Sequence, residues 1–147
     1  MEFHGSVVAS FATTILGQIT DAGGIPLVAH PERYQACSPR TVEAWRSVGA
    51  RIQLDATTLT RPSNRGQRAR ELLQAGMADV VAADNHGDHR TLGTVLRYLS
   101  RQAMATTLTQ LTVENPQAVL ADRPMIGLTP MVLKGRWQDR LRRFFSG

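Results

Sequence analysis

The chain has 147 residues, 42% of them hydrophobic and 20% charged, enough for one compact core and too short for two comfortable domains. Its formal charge is +5, but residues 134–147, KGRWQDRLRRFFSG, hold five basic residues and one acid, so the body is nearly neutral and argues against a nucleic-acid partner, which asks for a basic face or arm. No apolar run reaches the roughly 18 residues of a membrane span, and MEFHGSVVAS lacks the basic start and apolar core of a signal peptide, so a cytoplasmic location is expected.

Residues 5–24, GSVVASFATTILGQITDAGG, have helical spacing that sets Val8, Phe11, Ile15 and Ile19 on one side, with Gly23 and Gly24 as the stop. IPLVAH follows as a short buried strand. In SPRTVEAWRSVGA, Ser38 takes the N-cap and Pro39 the first helical position. Val42, Trp45 and Val48 turn inward, and Gly49 ends the helix. ARIQLDA is the second strand, and SNRGQRARELLQAGM is a helix with a basic outer face, closed near Gly76. ADVVAAD is the third strand, and TLGTVLRYLSRQAMATTL is expected as one long helix behind it.

Helix-then-strand units whose strands are apolar on both faces imply a parallel sheet with helices outside, hence an α/β fold over residues 1–133. In residues 134–147 a helix would gather Trp137, Leu141, Phe144 and Phe145 on one side. That segment is read as a basic amphipathic tail packing its aromatics on the body, with membrane-surface contact or partner docking as the alternative. The single cysteine, Cys37, has no partner for an internal disulfide and reads as a small buried hydrophobe.

Each strand ends in polar residues: His30 after LVA, Asp55 after IQL, and Asp84 with His86 after VVAA. In parallel α/β folds the ligand site lies at the carboxyl ends of the strands, so these side chains are expected on one rim. A histidine at a strand end is by itself more often a hydrogen-bonded structural residue than a ligand. Its combination with a carboxylate and a second imidazole suits zinc, manganese or iron. Glu2 joins that set if MEFH forms a further strand, whereas His4 is expected to be exposed.

PLVAHPERY, GARIQLDATTLT, GMADVVAADNHGDHR and TVENPQAVL stand in this order. Together they resemble the polymerase-and-histidinol-phosphatase (PHP) superfamily, specifically its bacterial capsule-type tyrosine phosphatases. HPERY is the most specific of these matches, and the resemblance runs from Glu2 to about Leu120. It implies a distorted β/α barrel with parallel strands and outer helices. The barrel holds divalent metal ions, manganese foremost and zinc or iron as alternatives. The implied reaction is hydrolysis of phosphotyrosine on a protein, a bacterial tyrosine kinase controlling capsule or exopolysaccharide synthesis.

Carried over by motif, Glu2, His30, Asp84 and His86 are the implied metal ligands, and Arg33 and Arg90 the implied phosphate-holding arginines. A guanidinium fork matches two phosphate oxygens, which supports the arginine roles independently. A cysteine-nucleophile mechanism, which needs an arginine six residues after the thiol, is rejected because Glu43 stands there. The family's opening Asp-x-His-x-His strand and a further histidine and glutamate have no counterpart here. The resemblance therefore implies the carboxyl-terminal portion of the barrel, with the amino-terminal strands missing. Two alternatives stay open: a catalytically inactive remnant that binds a partner protein, and a PHP phosphatase for a small phosphate monoester.

Overall fold

The computed structural model describes residues 1–133, and the amphipathic tail expected over 134–147 lies outside the described residues. Three parallel strands, β1 (Leu27–Ala29), β2 (Arg51–Asp55) and β3 (Val80–Ala82), form one sheet in that order. Val28 stands opposite Ile52, and Leu54 opposite Val81. All four side chains are buried, which is why these runs read as continuously apolar rather than alternating. Met1 extends the sheet beyond β1: its amino group donates to the Leu27 carbonyl and its own carbonyl accepts from Ala29 N–H. That is the bonding of a parallel pair centred on Val28, so MEFH begins beside β1 as an extended segment.

α1 (Ala9–Asp21) is rotated from its expected orientation. It buries Ala12 and Leu16, while Val8 and Phe11 are 66% and 59% exposed. The cause lies in α2 (Pro39–Ser47), against which α1 packs: the Trp45 indole N–H donates to the Ala9 carbonyl. This approach turns inward the residues one position later than the largest apolar ones, a rotation of about 100°. α2 follows the sequence closely, with Ser38 Oγ accepting from Thr41 N–H and Val42 and Trp45 fully buried.

α3 (Ala56–Thr60) was not foreseen in the sequence and exists because Asp55, at the end of β2, caps it through Thr57 N–H. α4 (Asn64–Gln74) is capped by Ser63 Oγ. The expected single helix over 91–108 is two, α5 (Gly93–Arg101) and α6 (Ala105–Thr109). Ala103 takes a left-handed conformation (φ 59°), and its N–H and that of Met104 bond back to the Ser100 and Leu99 carbonyls, closing α5. A π-helical turn (Gln110–Glu114) leads into α7 (Asn115–Leu120). Asn115, from the Asn-Pro motif, is fully buried and works as a clamp. Its amide donates to the Asp79 and Ile126 carbonyls and accepts from Ile126 N–H, tying the start of β3 to the segment after α7.

Candidate metal and phosphate site

β1 terminates at His30, whose N–H makes a last ladder bond to the Gln53 carbonyl before the chain turns left-handed at φ 35°. Asp84, two residues beyond β3, has φ 49°. Left-handed backbone in a non-glycine residue costs on the order of 1 kcal/mol or more and gathers at functional sites. Two of the four such residues among those described are these strand-end candidates. His30 is buried, with Nε2 3.4 Å from Glu2 Oε1. Its Nδ1 is buried with no hydrogen-bond partner among the described residues. Burial foremost, and then the Arg33 charge, lowers the His30 pKa against the opposing pull of Glu2 and Asp84, so the ring is a neutral donor with a free lone pair.

Tyr34, the last residue of HPERY, holds Glu2 in place. Its hydroxyl accepts from Phe3 N–H and donates to the Ala29 carbonyl, pinning the extended opening segment to the end of β1. The buried Tyr34 ring meets Phe3, His30 and Trp45 edge to face.

On the far side of the rim, Asp84 gathers two arginines and a histidine. Its Oδ2 accepts from Arg33 Nη2 at 2.7 Å and Arg90 Nη1 at 2.8 Å, and its Oδ1 lies 3.2 Å from His86 Nε2. Arg33 also donates to Asp55 Oδ2 at 2.6 Å, and Arg90 to Asp88 Oδ2 at 2.7 Å. The expected ligands thus stand as two pairs on one rim, Glu2 with His30 and Asp84 with His86, and not as one cluster. β2 separates the two strand ends, and Asp55 and Arg33 fill the space between. Among the described residues no group of three or more histidine, cysteine, aspartate or glutamate side chains could hold a metal ion.

The donors nevertheless suit a divalent ion. Two ligands each about 2.1 Å from a tetrahedral cation stand about 3.4 Å apart. The Glu2–His30 separation of 3.4 Å fits that bite and is longer than a strong hydrogen bond.

A family model for capsular polysaccharide synthesis, CpsB/CapC, matches residues 1–121. The chain belongs to the CpsB/CapC family. A solved structure from work on YwqE of Bacillus subtilis and CpsB of Streptococcus pneumoniae, described there as unique metal-dependent tyrosine phosphatases, has the same fold. The TM-score is 0.77 at 22% identity, over 91% of this chain and 57% of that one. The CpsB/CapC chain therefore spans little more than half the length of that relative. No curated protein matches it. The parallel three-stranded sheet with outer helices is thus an α/β fold shared with that structure over part of its length.

Two further features of this CpsB/CapC chain escaped the sequence reading. Glu32, inside HPERY, is fully buried; its Oε1 accepts from Asp55 N–H and its Oε2 has no partner among the described residues. Burial pushes its carboxyl up to about 7. Its neighbour Asp55 behaves oppositely. Burial acts to raise it, but hydrogen bonds from Thr57, Arg33 and Thr58 prevail and hold it down at about 2. No spacing rule separates these two acids, because the difference lies in what donates to each.

The second feature is a cleft of about 480 Å³ in front of Arg33 and Arg90, walled by Arg61 and Arg65 and also bordered by Asp55 and Asp88. The basic face of α4 was legible, but that Arg61 and Arg65 reach the same cleft as Arg33 was not. Cys37 is buried, and burial first of all pushes its thiol up to about 12, so it is no nucleophile.

Proposed function

We propose that this chain is the carboxyl-side part of a cytoplasmic, metal-dependent phosphatase acting on phosphotyrosine in a protein of capsule or exopolysaccharide synthesis, a bacterial tyrosine kinase being the partner expected. The observation that carries the reading is the meeting of Arg33 and Arg90 at Asp84, on the same strand-end rim as the His30–Glu2 pair. Among the described residues no helix is long and apolar enough to cross a membrane.

Glu2, His30, Asp84 and His86 would hold the ions, with manganese first and zinc or iron as alternatives. When bound, divalent ions lower the pKa of water toward neutrality and offset charge on the phosphoryl oxygens. Burial keeps His30 neutral at working pH, so its lone pair is available without loss of a proton. Arg33 and Arg90 present donors to the equatorial oxygens as charge builds there during in-line attack. Each is paired with two aspartates in the structure, and Asp84 is the carboxylate both would release on turning to an anionic substrate. A phenolate leaving group needs little protonation, which fits the carboxylates of Asp55, Asp84 and Asp88 beside the arginines being held ionised rather than as proton donors.

The 147-residue chain by itself is expected to bind manganese weakly and to hydrolyse p-nitrophenyl phosphate slowly. A form preceded by a segment carrying Asp-x-His-x-His is expected to be active with manganese, and His30→Ala or Asp84→Ala to abolish that activity. An extended form that stays inactive with manganese, or activity that survives His30→Ala, would refute the assignment. A second reading, a non-catalytic partner-binding domain, is favoured by the engagement of Asp84 with two arginines and a histidine. It gains if the extended form binds a phosphotyrosine protein without hydrolysing it. Preference for a small phosphate monoester over a phosphotyrosine peptide would instead support a metabolite phosphatase.

A further inference from the structure

Four arginines face the cleft in front of the site, and they are not equivalent. Arg33 is neutralised by Asp55 and Asp84, and Arg90 by Asp84 and Asp88. Arg61 and Arg65 have no hydrogen-bond or ion-pair partner for their guanidinium groups among the described residues, and both residues are exposed. The two inner cations are thus more than matched by three carboxylates of the chain itself, while the guanidinium groups of the outer pair stand unpaired and present positive charge to whatever enters.

The wall carrying that charge is built into the fold. Arg61 follows α3 directly and Arg65 is the second residue of α4. Gly66 lets the two helices meet: a Cβ there would stand 2.1 Å from the Arg61 carbonyl oxygen and 2.8 Å from that of Thr58. From the next turn of α4, Arg70 Nη1 donates to the Leu59 and Arg61 carbonyls at 3.0 Å each, fixing the corner from behind.

We infer that the cleft selects phosphotyrosine peptides that carry carboxylates next to the phosphotyrosine, the phosphate lying at Arg33 and Arg90 and the flanking carboxylates at Arg61 and Arg65. The inference rests on the phosphatase reading above and adds the substrate class. A neutral or basic flank would leave the outer pair unmatched, whereas an acidic flank matches it in charge. A cleft of about 480 Å³ is large enough for a tyrosyl phosphate with part of a neighbouring residue. His89 lines the same cleft.

The test is fluorescence anisotropy with labelled phosphotyrosine peptides, flanked either by Asp and Glu or by Ser and Gly, on the full 147-residue chain with manganese present. The acidic peptide is expected to bind about five- to ten-fold tighter at low salt, from two exposed charge pairs, and the ratio to shrink as salt rises. Arg61→Ser with Arg65→Ser is expected to bring the ratio near one, and Arg61→Lys with Arg65→Lys to keep most of it. Unchanged unfolding midpoints would show that the fold is intact. Equal affinity for both peptides, a preference that survives the double serine variant, or no measurable binding of either overturns the inference. Aryl phosphate hydrolysis by the extended wild-type form separates the two ideas. A lost preference with hydrolysis intact removes the substrate class and leaves the phosphatase. Equal binding of acidic peptides with and without phosphate, and no hydrolysis, removes the phosphatase reading and the inference with it.

Discussion

Glu32 and Asp55 are joined by one hydrogen bond, and the fold shifts their pKa values in opposite directions. Glu32 has an ordinary value of 4.5 and a folded value of about 7, so below pH 4.5 both folded and unfolded chains keep its proton. Between those values the unfolded chain releases the proton and the folded chain retains it, so stability falls as pH rises through that window. Glu32→Gln removes this dependence. Because Glu32 Oε2 already lacks a partner, the amide NH2 takes over an unsatisfied position and breaks no existing hydrogen bond there. The variant is expected to be more stable at pH 7.5 by on the order of 2–3 kcal/mol and nearly unchanged at pH 4, read from urea unfolding at the two pH values. Asp55 works at the acid end. Its depressed value means stability that is present above its ordinary 3.8 and lost as pH falls toward about 2. Asp55→Asn should therefore flatten the acid limb of the same urea series and lower stability by a roughly constant amount at every pH above 4.5, leaving the slope there unchanged. HPERY made His30 and Arg33 legible as chemistry, but nothing in its spelling distinguishes an acid that lines the cleft from one sealed beneath it.

At the scale of elements, the α3–α4 corner and the α7 clamp decide where the site's walls stand. Alanine is the better helix former by about 1 kcal/mol, so propensity alone would favour Gly66→Ala in α4. The added Cβ would stand 2.1 Å from a backbone oxygen, and a backbone carbonyl cannot yield as a flexible side chain can. Overpacking of this kind costs about 2–3 kcal/mol, so the clash wins and the thermal midpoint is expected to fall. In a phosphopeptide assay the same variant should also weaken the acidic-flank preference, because it displaces Arg61. Asn115→Ala removes all three hydrogen bonds between the start of β3 and residue 126 and leaves buried backbone groups without partners. A loss of about 3 kcal/mol is expected, measured by denaturant titration. The break between α5 and α6 was hidden for a related reason. Alanine at 103 carries no helix-ending signal, and the left-handed turn there is fixed by the two closing hydrogen bonds rather than by the residue type.

For the whole molecule, deleting residues 134–147 is expected to leave cooperative unfolding and metal affinity of the body unchanged, because no candidate ligand lies in that segment. Loss of cooperativity in calorimetry would show that Trp137 and the nearby phenylalanines belong to the core. The sequence by itself determined the α/β class, the three parallel strands and the rim on which His30, Asp55, Asp84 and His86 stand. Continuous apolar runs bury on both faces of a sheet, and the polar residue ending each run must then emerge at one edge. It also identified the family, through motifs whose order survives in one dimension. Only the tertiary structure decided that the candidate ligands stand two by two, that Tyr34 pins the backbone next to Glu2 beside β1, and that Arg61 and Arg65 complete the cleft. Each of these depends on which backbone donor or packed helix comes within about 3 Å of a side chain, and residues far apart in the chain meet at that range only after the core has closed.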